Sequence, residues 1–249
     1  MEGSGPGSEW RLVYSIFERH RSIRRYVKKP MPEDHVSLIV GAARRAPTDA
    51  TLHLWSAIRV TDDSLRASIA RAIGQDHVYE ASEFFIFLID LHRLSRLLEY
   101  RGERLGDVDM ALVIFAAIDA ALAAENMAVM AEALGYGTCF IGGVQNAAKE
   151  VIELARLPPK TYPLFGLTIG YPAEDPAPRP RLPVEMLVHE NHYREYSARD
   201  LERAYGVMAP YSRRGDWLRI LRRYVGPGGY FEERNRVMPE LMRLQGFRV

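Results

Sequence analysis

Apolar residues recur along this chain at two distinct periods. In "EWRLVYSIFERH" they return every three to four positions, the spacing of one helix face, and the segment ends at His20. "MPEDHVSLIVGAARRAP" predicts a second helix, with Pro32 and acidic residues at its start, basic residues at its end and Pro47 as a stop. "LWSAIRVTD" reads as a strand and "DDSLRASIARAIG" as a helix closed by Gly74. "EFFIFLID" is an apolar, β-prone run suited to a central strand. A short helix from about Leu94 to Tyr100 and a polar stretch lead into a long apolar helix at about 108–134. "YGTCFIGG" then predicts a short strand ending in two glycines, "NAAKEVIELARLP" an amphipathic helix, and "YPLFGLTIGYP" another buried strand. Helices alternating with apolar strands indicate an α/β or α+β sheet protein.

The stretch Met110 to Gly137 is long and apolar enough to suggest a membrane span. Asp119, Glu125, Asn126 and Glu132 interrupt it, and placing those groups in lipid is costly. A helix buried in the protein core is the better expectation. After Pro172 the texture changes. "PAEDPAPRPRLP" cannot form regular helix or interior strand and predicts an extended surface segment. Three mostly helical stretches follow, expected to wrap around the core or around a partner subunit.

Composition adds bounds. The 249 residues suffice for a large core, and a formal net charge of +1 argues against broad nucleic-acid binding. Cys139 is the only cysteine, which excludes an internal disulfide framework and a multi-cysteine metal site and favours a reducing, cytoplasmic setting. The N-terminal "MEGSGPGSEW" lacks the basic start and apolar core of a signal peptide and is expected to be a flexible lead.

Candidate chemistry is concentrated in a few places. "HRSIRRYV" (20–27) sets four ionisable cations and the Ser22 hydroxyl in eight positions. Arginine forks match phosphate oxygens, and a guanidinium beside a reducible ring stabilises the negative charge that the ring acquires. A solvated arginine face accounts for the same residues. "PTDATLH" (47–53) is a polar loop that could line a ligand or simply turn the chain. "GQDHV" (74–78) offers Gln75 and His77 after a helix stop, and an isolated histidine is commonly structural. In "CFIGG" (139–143) two glycines after a strand allow a flat ring or phosphate to approach the backbone, though a glycine pair also serves as a turn. "RPRLP" (179–183) and "YSRRGDWLRILRRY" (211–224) carry arginines suited to anions or to solvent. GxGxxG, GxxxxGK[ST], HExxH and nucleophile-elbow signatures are lacking, so no side chain is assigned a catalytic role and no metal site is expected.

In order and spacing, "HRSIR", "AIRVTD", "GQDHV", "AENMAVMAEALGYGTCFIGGVQN", "YPLFGLTIGYPAEDP" and "PRPRLPVEMLVHENHY" resemble the FMN-dependent nitroreductase superfamily, in the branch of oxygen-insensitive NADPH nitroreductases and NADPH–flavin oxidoreductases. The resemblance runs from about Val13 to Tyr193. It implies an α+β protomer with a central, mostly antiparallel sheet flanked by helices, a helical C-terminal extension, and an intertwined homodimer with FMN at the subunit interface. The implied division is a lead at 1–12, an FMN-binding core at 13–193 and a helical extension at 194–249.

By motif position, FMN is expected against His20, Arg21, Ser22, Arg24, Thr48, Gln75, His77, Ile141, Gly142, Gly143 and Arg181, with Arg21, Ser22 and Arg181 toward the phosphate and Arg24 near the ring. Arg214, or Arg213, is the candidate for the nicotinamide nucleotide's 2′-phosphate. The implied activity is NAD(P)H oxidation by ping-pong hydride transfer through flavin N5, from NADPH or NADH to nitroaromatic, quinone or flavin acceptors. Other flavin chemistry, such as dehalogenation or flavin destruction, and a non-catalytic flavin-binding protein are the alternatives. Neither nucleic acid nor membrane is an expected partner.

Overall fold

The computed structural model describes residues 9–211 and 216–249. The chain forms two compact units, one of residues up to Pro176 together with Met238–Val249, the other of Ala177–Val237. The boundary expected between 193 and 194 falls inside the second unit. The sequence could not show that the last dozen residues return to the first.

In the first unit, α1 (Glu9–Arg19) precedes a short strand β1 (Tyr26–Val27), which sequence periodicity does not reveal because two residues carry no period. Next come α2 (Glu33–Ala43), β2 (Trp55–Arg59), α3 (Asp63–Ile73), the single turn α4 (His77–Glu80) and β3 (Glu83–Asp90). Then follow α5 (His92–Glu99), the 25-residue α6 (Asp109–Ala133), β4 (Gly137–Ile141), α7 (Ala148–Leu154) and β5 (Thr161–Pro172). Residues Gly142–Ala147 form a 3-10 turn, so the helix expected from Asn146 begins at Ala148. In the second unit α8 (Ala198–Met208) and α9 (Trp217–Val225) are helical, and α10 (Tyr230–Leu244) begins there and ends in the first unit.

The sheet is antiparallel in every pairing, in the order β1-β5-β3-β2 with β4 also paired to β5, so the architecture is α+β. The long β5 holds the sheet together. One edge pairs with β3; the other pairs with β4 over 166–170 and with β1 at 171–172.

Every residue of β3 is buried, which is why "EFFIFLID" shows no hydrophobic–polar alternation. Alternate side chains serve opposite faces, as the pleat requires. Phe85 and Phe87 join Leu167 and Ile169 against α6 and α2. Phe84, Ile86 and Leu88 pack with Cys139, Ile141, Ile69 and Ile73 on the side of α3 and α7. Phe84 and Phe87 are fully buried, each stabilising the fold by roughly 1.5–3 kcal/mol relative to exposure. The polar ends of β3 are satisfied: Glu83 accepts from Arg59 Nε at 2.7 Å, and Asp90 accepts from Ser56 Oγ.

Helix α6 meets the sheet through a stripe of small residues, Ala120, Ala123, Ala124 and Ala131 around Met127, which lets helix and sheet approach closely. It is the one described helix long and apolar enough to cross a membrane, and its length packs on the core through this stripe. The opposite side leaves Met110, Ile114, Phe115, Ile118 and Leu122 exposed. Met238 and Met242 join Val113, Ile114 and Ile118 around an apolar groove of about 490 Å³.

The C-terminus is latched to the start of α6. Asp109, 1 % exposed, accepts from Lys160 Nζ and from the Arg248 backbone N–H at 2.7 Å, while Phe247 inserts into the core. Burial would raise the Asp109 pKa, but the hydrogen bonds from Lys160 and Arg248 outweigh it and hold the carboxyl below its usual range. Removing one partner of such a pair strands the other charges. Because Lys160 and Arg248 retain solvent contact, Asp109→Ala is expected to lower folding stability by about 2–3 kcal/mol, read from the shift in a urea-denaturation midpoint.

Candidate functional site

Three of the segments singled out in the sequence meet along β4. Ser22 lies opposite Thr138 in a parallel bridge, and Ile23 N donates to Thr138 O at 2.8 Å, so segment 20–24 runs alongside β4. That strand delivers Ile141, Gly142 and Gly143 at its end. The third segment is set by α3. Asp62 caps its N-terminus by accepting from Leu65 N at 2.7 Å, and Gly74 ends it in the left-handed region at φ 71°, a conformation in which a side chain would be strained. The chain then turns into Gln75, Asp76 and His77. Arg66, buried on α3, donates to Val60 O and Ala81 O and ties this turn to the sheet.

Gly143 and Gln75 fit one another. A Cβ built on Gly143 would lie 2.6 Å from Gln75 Nε2 and 2.7 Å from Ile73 Cγ2, so the amide can sit there only because residue 143 has no side chain. A Cβ on Gly142 meets nothing within 4 Å, and Gly142 is exposed at the end of the buried strand. The two glycines therefore act differently: one admits a neighbouring side chain, and the other leaves open space over the backbone.

His77 is half-buried, and its Nε2 has no hydrogen-bond partner among the described residues although it is shielded from solvent. Such a buried polar atom costs stability unless something satisfies it. Burial, with the Arg24 charge beside it, pushes the imidazole below the ordinary histidine range, so the ring is neutral at neutral pH. Burial likewise pushes the neighbouring Cys139 thiol up, which keeps it protonated and unreactive. Arg24 is held through its backbone N–H, which donates to Glu174 Oε1 at 2.5 Å.

The remaining predicted residues are placed as follows. His20 Nδ1 donates to Glu132 Oε1 at 2.8 Å. Arg21 donates to Pro176 O at 3.2 Å and pairs with Asp175 at 3.2 Å, so a phosphate there would share the guanidinium with an exposed carboxylate. Thr48 belongs to a different region. Its hydroxyl accepts from His53 N at 3.0 Å, within a loop where Ala50, Thr51 and His53 all adopt positive φ. That loop is pinned to α6 by Asp119, which accepts from Asp49 N at 3.0 Å and Leu54 N at 3.2 Å. Asp119 and Glu132 are 13 residues apart on the helix, so the anchors of Thr48 and His20 lie about 20 Å apart along its axis. Arg181 lies in the second unit, where its guanidinium donates to Arg179 O and Pro180 O. Arg213 and Arg214 lie outside the described residues.

Sequence reading missed the supporting acids Asp119, Glu132 and Glu174. The available signal was the presence of Asp119 and Glu132 inside an otherwise apolar run.

A flat ring with an anionic tail matches this arrangement: space beside Gly142, an amide at Gln75, an imidazole nitrogen of His77 without a partner among the described residues, and a cation at Arg24. Comparison with known proteins identifies the class. The family described as "Nitroreductase family" matches residues 17–171, and the chain belongs to that family. A curated relative from Staphylococcus aureus (strain MRSA252), named NADPH-dependent oxidoreductase, is 37 % identical over 206 residues, covering 80 % of this chain and 79 % of its own. The solved structure of B. megaterium NfrA1 superposes with a TM-score of 0.86 at 32 % identity, covering 95 % of this chain and 99 % of its own. The NADPH:FMN oxidoreductase from Vibrio harveyi complexed with NAD+ gives 0.84 at 30 % identity, covering 94 % and 98 %.

Two predictions follow from the geometry. Gly143→Ala should displace Gln75 and cost about 1–3 kcal/mol in a denaturation experiment, whereas Gly142→Ala should change stability by less than about 0.5 kcal/mol. His77, a base with a depressed folded-state pKa, takes up its proton more readily in the unfolded chain. It therefore subtracts stability as pH falls below about 6.5 and contributes no difference well above it. His77→Gln should make the loss of stability between pH 7 and pH 5 shallower than in the parent protein, measured as urea midpoints across that range.

Proposed function

We propose that the chain is an FMN-dependent NAD(P)H oxidoreductase whose flavin lies where segment 20–24, the turn 75–77 and residues 141–143 converge. One observation carries this reading: the shielded Nε2 of His77, which has no partner among the described residues, beside Arg24 and the space that Gly142 leaves where a Cβ would stand. Family membership and the resemblance to proteins named NADPH-dependent oxidoreductase and NADPH:FMN oxidoreductase support it. FMN held by these residues would supply reversible hydride transfer at N5, from reduced nicotinamide to an acceptor in a ping-pong cycle.

The chain's own residues hold and polarise. Arg24 places a fixed positive charge at the site, so negative charge developing there is stabilised without reorganisation. Gln75 and the neutral His77 offer hydrogen bonds to a heterocycle, and the glycine pair permits close stacking on the backbone. Arg21 and Ser22 are assigned to the phosphate end. No side chain is assigned as acid or base. Nitroaromatics, quinones and free flavin are the proposed acceptors. A reducing, cytoplasmic setting suits a chain whose single cysteine, Cys139, is free.

A homodimer completes the proposal. Thr48 is anchored about 20 Å along α6 from His20, too far to join the same cofactor contacts within one chain. The exposed Met110, Ile114, Phe115, Ile118 and Leu122 give that helix an apolar side suited to burial against a second copy. In such a dimer Thr48 serves the site of the other subunit.

The purified protein, reconstituted with FMN, is expected to be yellow and to bleach on anaerobic addition of NADPH. A protein that takes up no FMN would overturn the reading. Arg214→Ala should raise the apparent KM for NADPH about tenfold with little change in kcat, as loss of a phosphate–guanidinium contact predicts.

A further inference from the structure

Glu132 occupies the last turn of α6, where the helix dipole disfavours an anion and no basic residue offsets it. Its side chain is nevertheless only 13 % exposed. One oxygen, Oε1, accepts two hydrogen bonds: from His20 Nδ1 at 2.8 Å and from Thr138 Oγ1 at 2.6 Å. Thr138 is fully buried, and its carbonyl accepts from Ile23 N, so the carboxylate joins the helix end, β4 and segment 20–23. A carboxylate only accepts, so Nδ1 is the donor. In the neutral imidazole, Nε2 then carries the lone pair.

The cleft of about 200 Å³ that Glu132 lines contains Arg19 and Arg21 but also Glu174 and Asp175. Glu132 is itself an anion and would repel a phosphate held by Arg21. Glu132 therefore acts through His20 and not on the cofactor's anion directly. A leucine or methionine would suit the apolar helix better; an oxygen acceptor is needed only because a ring N–H and a hydroxyl have to be aimed.

We propose that Glu132 is a positioning residue for the cofactor site, holding His20 as the Nδ1–H tautomer with Nε2 as acceptor and fixing segment 20–24 against β4. The inference rests on the FMN reading above for its consequence, but the tautomer can be measured without it. The test combines ¹⁵N–¹H spectra of His20, assigned with His20→Gln, and FMN affinity from quenching of flavin fluorescence. Both are recorded for the parent protein, Glu132→Gln and Glu132→Met. The Gln variant keeps an oxygen acceptor, so it should retain the Nδ1–H tautomer and an FMN Kd within about threefold of the parent. The Met variant keeps the length but not the acceptor, and should lose the tautomer preference and weaken FMN binding about tenfold or more.

An Nε2–H ring in the parent protein, or a Met variant with unchanged tautomer and Kd, overturns the proposal. Should the Met variant fail to fold, the parent and Gln spectra decide the matter alone. If the parent takes up no FMN, the cofactor reading fails, while the His20 spectrum of the FMN-free protein still decides the role of Glu132.

Discussion

The two-sided burial of β3 and β5 governs the first unit. Both strands are covered by helices on each face, so their side chains have almost no freedom of register. A one-residue slip would exchange the layer of Phe85 and Phe87 with that of Phe84 and Ile86. With the register set, β4 can pair with β5 in only one way, and the position of Ile141 to Gly143 follows. The candidate site is thus a consequence of core packing at one strand end, where the sheet stops and the backbone becomes accessible.

Helix α6 performs several tasks through different residues along its length. Its alanine stripe allows close approach to the sheet, and its exposed apolar side remains available for a second subunit. Its carboxylates bind other parts of the chain: Asp109 the C-terminus, Asp119 the loop bearing Thr48, and Glu132 the segment bearing His20. Each of these anions accepts two or more hydrogen bonds, which offsets the cost of removing it from water. A rigid rod with three such anchors holds segments that are remote in sequence at defined separations.

The site chemistry is mostly that of shape and hydrogen bonding. In the proposed site, His77, neutral because it is buried, and the charged Arg24 would provide one uncharged and one charged contact. The difference between Gly142 and Gly143 shows how similar residues diverge once neighbours are present. Gly143 is closed off by Gln75 and Ile73, and Gly142 stays open.

Much of this was legible in the amino-acid sequence because it depends on short-range physics. Periodicity located the major helices and strands, Gly74 marked its helix end, and the uniform apolarity of "EFFIFLID" indicated a strand buried on both faces. The charges inside the long apolar run argued against lipid. Only the tertiary structure decided what those charges do, since the partners of Asp119 lie 65 and 70 residues away and His20 lies 112 residues from Glu132. It also decided that Tyr26 and Val27 form a strand, and that the last residues return to the first unit. Backbone propensity acts over a few positions and is written into local sequence. The pairing of buried polar groups depends on which distant segments the packed core brings within hydrogen-bond reach, and no local pattern records that.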